Sequence, residues 1–258
     1  MNRDNDRASL PLVSVIVPVY NCAPYVEQAI RSVMAQSYPA WELIVIDDCS
    51  TDTTREIVAR VAEEDERVHL ICNAENLGVA KTRNKGLEQS RGAYVAFLDG
   101  DDLWLPEKLE RQLALMEERQ ADIVYSSYGI VNAAGQPAAE DYVVPERTTF
   151  EQMLGENVIG CSTVLLKGEV ARRYRFMVDF YHEDYCLWLD MLKDGLLAVG
   201  CPQVLVKWRL ISNSRSFNKQ NSAKNRWRIY RSYLKLPFFK SALLFFRYMI
   251  NGIRKYCS

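Results

Sequence analysis

The chain has 258 residues, 48% of them hydrophobic and 25% charged, a globular composition that excludes a low-complexity polymer and accommodates one sizeable domain with an appended segment. The net charge of −1 conceals an asymmetry: residues 1–194 carry 19 basic and 33 acidic side chains (−14), whereas residues 195–258 carry 13 basic and no acidic ones (+13). Seven cysteines stand singly, with no Cys-x-x-Cys pair, which argues against a disulfide framework and a zinc site and for reduced thiols.

Residues 1–11 are polar as far as Ser9 and lack the apolar core of a signal peptide, so they are expected to be extended or disordered, with nothing that indicates export. From Leu12 short apolar runs alternate with longer amphipathic ones, the pattern of βαβ units and a mostly parallel sheet flanked by helices. Strands are expected near Val13–Val17, Leu43–Ile46, Val68–Cys72 and Ala93–Leu98. Helices are expected near Pro24–Gln36, Thr53–Glu64 and Val79–Gln89, the first opened by Pro24 and the second preceded by Ser50-Thr51-Asp52 as capping candidates. A helix at Pro106–Arg119, a strand at Ile123–Ser127 and a loop or edge hairpin over Asn132–Arg147 follow, then a strand at Ser162–Lys167. His182-Glu183-Asp184-Tyr185 opens an amphipathic helix that stops at Gly195, and Leu197–Val199 and Val204–Arg209 read as two short strands. The chain thus divides into a catalytic α/β domain over residues 12–210, with halves 12–105 and 106–210, and a basic helical tail over 211–258.

Polar residues close the first, second and fourth strands: Pro18-Val19-Tyr20-Asn21, Asp47-Asp48-Cys49-Ser50 and Asp99-Gly100-Asp101-Asp102. Ligands bind beyond the carboxyl ends of the strands in doubly wound sheets, so these loops should converge. Three carboxylates at the mouth of a buried strand are costly unless compensated, and a hard divalent ion such as Mg²⁺ or Mn²⁺ wants oxygen ligands of this kind. Gly100 would let another backbone or a diphosphate approach. The competing reading is a solvated acidic turn that caps the next helix. A carboxylate at Asp47 or Asp48 can accept from the imide N–H of uracil, while Asp52 reads as a helix cap. Asn76-Leu77-Gly78-Val79 puts a turn glycine at a helix entrance, with Arg83 placed to meet a phosphate or to pair with acids.

Five stretches together resemble the family 2 glycosyltransferases with the GT-A fold: residues 13–21 (Val-Ser-Val-Ile-Val-Pro-Val-Tyr-Asn), 44–52 (Ile-Val-Ile-Asp-Asp-Cys-Ser-Thr-Asp), the Asn-Leu-Gly-Val-Ala run within 76–86, 97–102 (Phe-Leu-Asp-Gly-Asp-Asp) and 182–189. The resemblance covers about Leu12–Arg209. It implies inverting transfer from a nucleoside-diphosphate sugar, preferably a UDP-sugar, to a hydroxyl of a glycan or lipid-linked acceptor in bacterial surface-polysaccharide synthesis. Donor contacts would come from Pro18, Tyr20, Asn21, Asp47, Asp48, Arg83, Asp99 and Gly100. Asp101, with Asp99, would hold Mn²⁺ or Mg²⁺, Asp102 would lead into the next helix, and Asp184 would be the base. Glu183, Cys161, Ser162 and Trp208 are acceptor-side candidates. Many relatives carry a histidine after the catalytic helix that approaches the metal; Lys207-Trp208-Arg209-Leu210-Ile211 has none, which leaves the third protein ligand open, with water and diphosphate oxygens able to fill the shell.

Between Leu234 and Ile253 bulky apolar residues are interrupted by Lys235, Pro237, Lys240 and Arg247, too broken for a membrane span but suited to the cytoplasmic face of a membrane. The alternative is packing on the catalytic domain or on a second copy in a homodimer. Nucleic acid is not expected, because such a face needs no apolar stripe. Two other functions stand against the leading one. A phosphatase of the haloacid dehalogenase type also places Asp-x-Asp after an apolar strand, but not after a nucleotide-pocket pattern, and a nucleotide-sugar-binding scaffold would bind without turnover.

Overall fold

The computed structural model describes residues 10–211 and 219–257; the polar stretch 1–9 and the start of the basic tail, 212–218, lie outside the described residues. Strands β1 (Val13–Val19), β2 (Trp41–Asp47), β3 (Val68–Cys72) and β4 (Tyr94–Phe97) pair in parallel in the order β3-β2-β1-β4. Between them run α1 (Val26–Met34), α2 (Thr54–Glu64) and α3 (Val79–Gln89). β1, β2 and β4 read as largely apolar runs because both faces are covered, whereas the edge strand β3 is half-exposed. Val15, Val17, Leu43 and Val45 face α1 and α2, while Ile16, Ile44 and Ile46 face α3, the pleat dividing one run between two cores. Gly86 sets the spacing on the second face: a Cβ there would lie 2.5 Å from Ile16 Cγ2, so only glycine lets α3 lie this close to the sheet.

Beyond β4 the sheet becomes mixed. A short β5 (Leu103–Trp104) precedes α4 (Lys108–Arg119), β6 (Ile123–Val131), the edge strand β7 (Pro137–Tyr142), β8 (Arg147–Thr148) and α5 (Phe150–Gly155). After a single 3₁₀ turn at Cys161–Thr163 come β9 (Leu165–Lys167), α6 (Gly168–Arg173), α7 (Glu183–Lys193) and β10 (Ala198–Arg209). β9 lies antiparallel between β4 and β6, and β10 lies parallel to β6. The expected strand at Ser162–Lys167 is therefore half turn and half strand. The two strands expected within 197–209 are one, because shifts in register near Cys201 and Val204 absorb Pro202, which has no N–H for the ladder. The hairpin of β6 and β7 is the edge element expected over 132–147.

The tail is helical, as expected: α8 (Lys219–Arg228), a π turn at Ile229–Tyr233, and α9 (Phe238–Cys257). Ile229, Tyr230 and Leu244 enter the core on the α7 side of the sheet. Among the described residues no helix is long and apolar enough to cross a membrane.

Candidate active site

The loops that follow β1, β2, β3 and β4 meet the start of α7 around an open cleft of about 1090 Å³. The first two loops are stitched to each other. Asn21, in the left-handed region at φ 48°, accepts from the Thr51 N–H at 2.8 Å and donates its own N–H to Ser50 Oγ at 3.0 Å. Asp52 accepts from the N–H groups of Ala23 and Thr54, the capping role expected of it. Expected to line the nucleotide pocket, Asn21 does not line the cleft; its short amide instead makes the left-handed turn that joins the loops. Pro18 and Tyr20 do line it, and half of the Tyr20 surface is exposed.

Asp47 and Asp48 take different roles. The strand alternation turns Asp47 out of the cleft, where it is fully buried and pairs with Arg55 at 3.0 Å, so the expectation that it reads the base is corrected. Asp48 lines the cleft and accepts from the Leu77 and Gly78 N–H groups, both at 2.9 Å, and from Asn73 Nδ2 at 2.8 Å. One carboxylate thereby shapes the turn at Gly78, whose φ of +81° a side chain would resist.

The acidic loop is anchored from the far half of the chain. Ser162 Oγ donates to Asp102 Oδ2 at 2.6 Å and accepts the Asp99 N–H at 3.1 Å, so this acceptor-side candidate is a tether beneath the loop. Arg209 donates its N–H to Asp102 at 2.9 Å and Nε–H to the Asp101 carbonyl at 2.8 Å, and its remaining nitrogens reach the Ala133 carbonyl and Gln28. Asp102, expected to lead into the next helix, is buried and clamps β10; burial and its acidic neighbours hold its carboxyl well above the usual range. Gly100 gives the loop its close approach, since a Cβ would lie 3.0 Å from Cys22 Sγ and from Val19 Cγ1. Arg209 escaped the sequence reading because its hydrogen-bond partners lie 76 to 181 residues away.

Arg83 joins the two sides of the cleft. Its buried guanidinium donates through Nη2 to Asp99 and through Nη1 to Glu183 Oε1 at 2.7 Å, while Nε lies buried without a hydrogen-bond partner among the described residues. The expected phosphate contact and the alternative acid pair are thus not exclusive, because Arg83 both lines the cleft and pairs with acids. Glu183 is buried in that pair, and Asp184, next along α7, lines the cleft. Its carboxyl is pushed up to about 6, by burial first and by the Glu183 charge second. Asp101 is pushed up to about 6 by burial and by Asp99. It forms no ion pair among the described residues, since Arg209 spends its donors on carbonyls and Gln28. Cys161 and Trp208 line the cleft, with burial pushing the Cys161 thiol up and the Trp208 ring 6.1 Å from Tyr128.

Two carboxylates on one turn, one of them uncompensated and repelled by the other, offer hard oxygens that a divalent cation would relieve. Among the described residues no group of three or more His, Cys, Asp or Glu is arranged to hold a metal ion. Any ion bound here would complete its shell from ligand and water.

Residues 14–164 match the model of glycosyl transferase family 2, more than half of the chain. The chain is 41% identical over 245 residues to the putative teichuronic acid biosynthesis glycosyltransferase TuaG of Bacillus subtilis, covering 95% of this chain and 97% of that one. It is 36% identical, over 95% of both chains, to WfgD of Escherichia coli, a UDP-Glc:alpha-D-GlcNAc-diphosphoundecaprenol beta-1,3-glucosyltransferase. Its fold matches S. aureus TarS in complex with UDP-GlcNAc, with a TM-score of 0.73 at 20% identity over 94% of this chain and 72% of that chain. It also matches the mannosyltransferase PcManGT from Pyrobaculum calidifontis, solved with GDP-Man and Mn²⁺, with a TM-score of 0.70 at 22% identity, covering 91% and 68% of the two chains. The α/β sheet, the strand-end cleft and the sequence matches agree: the chain is a glycosyltransferase and belongs to family 2.

Proposed function

We propose that the chain transfers a sugar, with inversion, from a UDP-sugar to a hydroxyl of a lipid-linked glycan in bacterial surface-polysaccharide synthesis. The observation that carries this reading is Asp184: a carboxyl pushed up to about 6 by burial and by Glu183, lining the same cleft as the acidic loop, next to Glu183, which Arg83 links to Asp99. A base poised near neutral pH can take the acceptor proton as the hydroxyl attacks the anomeric carbon. The half formed by residues 12–105 would hold the donor, through Pro18, Tyr20, the turn shaped by Asp48, Arg83, Asp99 and Gly100. The half formed by residues 106–210 would hold the acceptor, near Cys161 and Trp208. Asp101, with Asp99, would hold Mn²⁺ or Mg²⁺, which supplies Lewis-acid stabilisation of the departing diphosphate. The polysaccharide role and the lipid-linked acceptor are supported by the names of the relatives.

Thermal shift tests the donor assignment. UDP with Mn²⁺ at a hundred times its dissociation constant should raise the melting temperature by roughly 5–10 °C, with GDP and dTDP smaller and each effect reduced by EDTA. Indifference to all three nucleotides would remove the donor site; a response to GDP alone would reassign the nucleotide.

The tail is the part of the chain proposed to meet the cytoplasmic membrane face. Phe239, Leu243, Phe246 and Met249 are exposed along α9, flanked by the exposed cations Arg231, Lys235 and Arg247, with no acid after residue 194. The full chain should sediment with phosphatidylglycerol vesicles, and the triple variant Phe239→Ser, Leu243→Ser, Phe246→Ser should bind at least tenfold more weakly. Equal binding by both would move the contact off this face and leave the tail to core packing or to a second copy.

A further inference from the structure

One turn of α8 reaches both sides of the region next to Asp184. Asn225 Oδ1 accepts the Tyr181 N–H at 3.2 Å. The Arg226 guanidinium lies 3.7 Å from the centre of the Tyr185 ring, on the residue that follows Asp184. Arg228 Nη1 donates to the Asp179 carbonyl at 3.0 Å, and its guanidinium lies 4.9 Å from the Phe180 ring. Beyond the turn, the Tyr233 ring sits 5.1 Å from Phe180 and its hydroxyl bonds to Asp190 of α7. Tyr181, Phe180 and Asp179 line the cleft in the irregular stretch between α6 and α7. An irregular segment has no ladder of its own to hold it, so its geometry is set by what packs on it.

The same turn keeps polar atoms in places that stability alone does not favour. Arg226 Nε and Nη1 and Asn225 Nδ2 are buried without hydrogen-bond partners among the described residues, and Arg226 forms no ion pair there. Buried polar groups left unsatisfied call for a reason other than packing.

We propose that Asn225 and Arg228, with Tyr233, are positioning residues for acceptor binding: the C-terminal tail shapes residues 179–182, the wall of the cleft that leads to Asp184. The inference rests on the reading of this side as the acceptor side, and it gives the tail a role in catalysis besides any membrane contact. Arg226 is too deeply packed for a clean test, so the variants are Asn225→Leu and Arg228→Ala in the full chain, with Arg228→Lys as the conservative control. The first readout is amide exchange without ligand. Residues 178–182 should exchange about tenfold faster in both variants, the effect of losing one hydrogen bond, while β1 to β4 keep the parent rates. The second is transfer from UDP-glucose to a GlcNAc-diphospholipid, where the KM for the acceptor should rise about tenfold, the donor KM should hold, and Arg228→Lys should recover part of the loss. Exchange of 178–182 at the parent rate in both variants overturns the proposal, and so does a donor KM that rises in step with the acceptor KM. If the parent chain transfers nothing to this acceptor, this donor and acceptor pair is not its own, and the exchange rates still decide the positioning role.

Discussion

Asp184→Asn should lower kcat by about 10²–10⁴ while leaving the thermal shift by UDP and Mn²⁺ unchanged, because the variant loses a general base and keeps the donor half intact. The parent kcat/KM should rise with pH through about 6, where Asp184 loses its proton, and flatten above it. That limb should vanish from the residual activity of the variant. Stability should move the other way. Burial raises the folded-state pKa above the ordinary value of 3.8, so the ionised form is disfavoured in the fold, and the favourable contribution of the protonated group is lost as pH rises through about 6. Asp184→Asn should therefore melt above the parent at pH 8, with the gap closing below pH 5. Near-parent turnover in the variant would take Asp184 out of the base role. A melting temperature below the parent at pH 8 would mean that its charge is compensated within the fold.

The second large effect is expected at Arg83. Arg83→Met removes the cation between Glu183, itself buried, and Asp99, and stranding a buried carboxylate in this way costs about 3–5 kcal/mol. At roughly 2–4 °C per kcal/mol for a chain of this size, the melting temperature should fall by about 6–20 °C. Adding Glu183→Gln should recover part of that loss, since the amide needs no counter-charge. A double variant as unstable as the single one would place the cost in lost packing of Arg83 against Phe176, whose ring centre lies 5.3 Å away, and not in the unpaired acid. The activity loss should exceed the stability loss, because the same guanidinium links the acidic loop to the first turn of α7. UDP binding measured well below the melting transition separates the two.

The elements of the N-terminal half were legible because each signal there is local. Apolar runs such as Val13–Val17 and Leu43–Ile46 are continuous only where both faces of a strand are buried, and Gly78 marks a helix entrance by the φ it must adopt. Beyond β4 the signals weaken. The turn at Cys161–Thr163 takes the first two residues of the strand expected at Ser162–Lys167, and one bulged strand replaces two, since pairing with β6 depends on residues far away in sequence.

Residue types and strand ends by themselves pointed to the α/β class and to the convergence of loops beyond the strands, and the family resemblance added Asp184 to Asp48, Arg83, Asp99 and Asp101; all five line one cleft. Only the tertiary structure decided how the roles divide among neighbours. Asp47 and Asp48 are adjacent and chemically identical, yet the pleat of β2 sends the first to Arg55 and the second to the turn at Gly78. Asp101 and Asp102 diverge in the same way, one uncompensated in the cleft and one clamping Ser162 and Arg209. The physical reason is that a carboxylate takes its role from the donors around it, and those donors arrive from strands and helices that only the folded chain brings together.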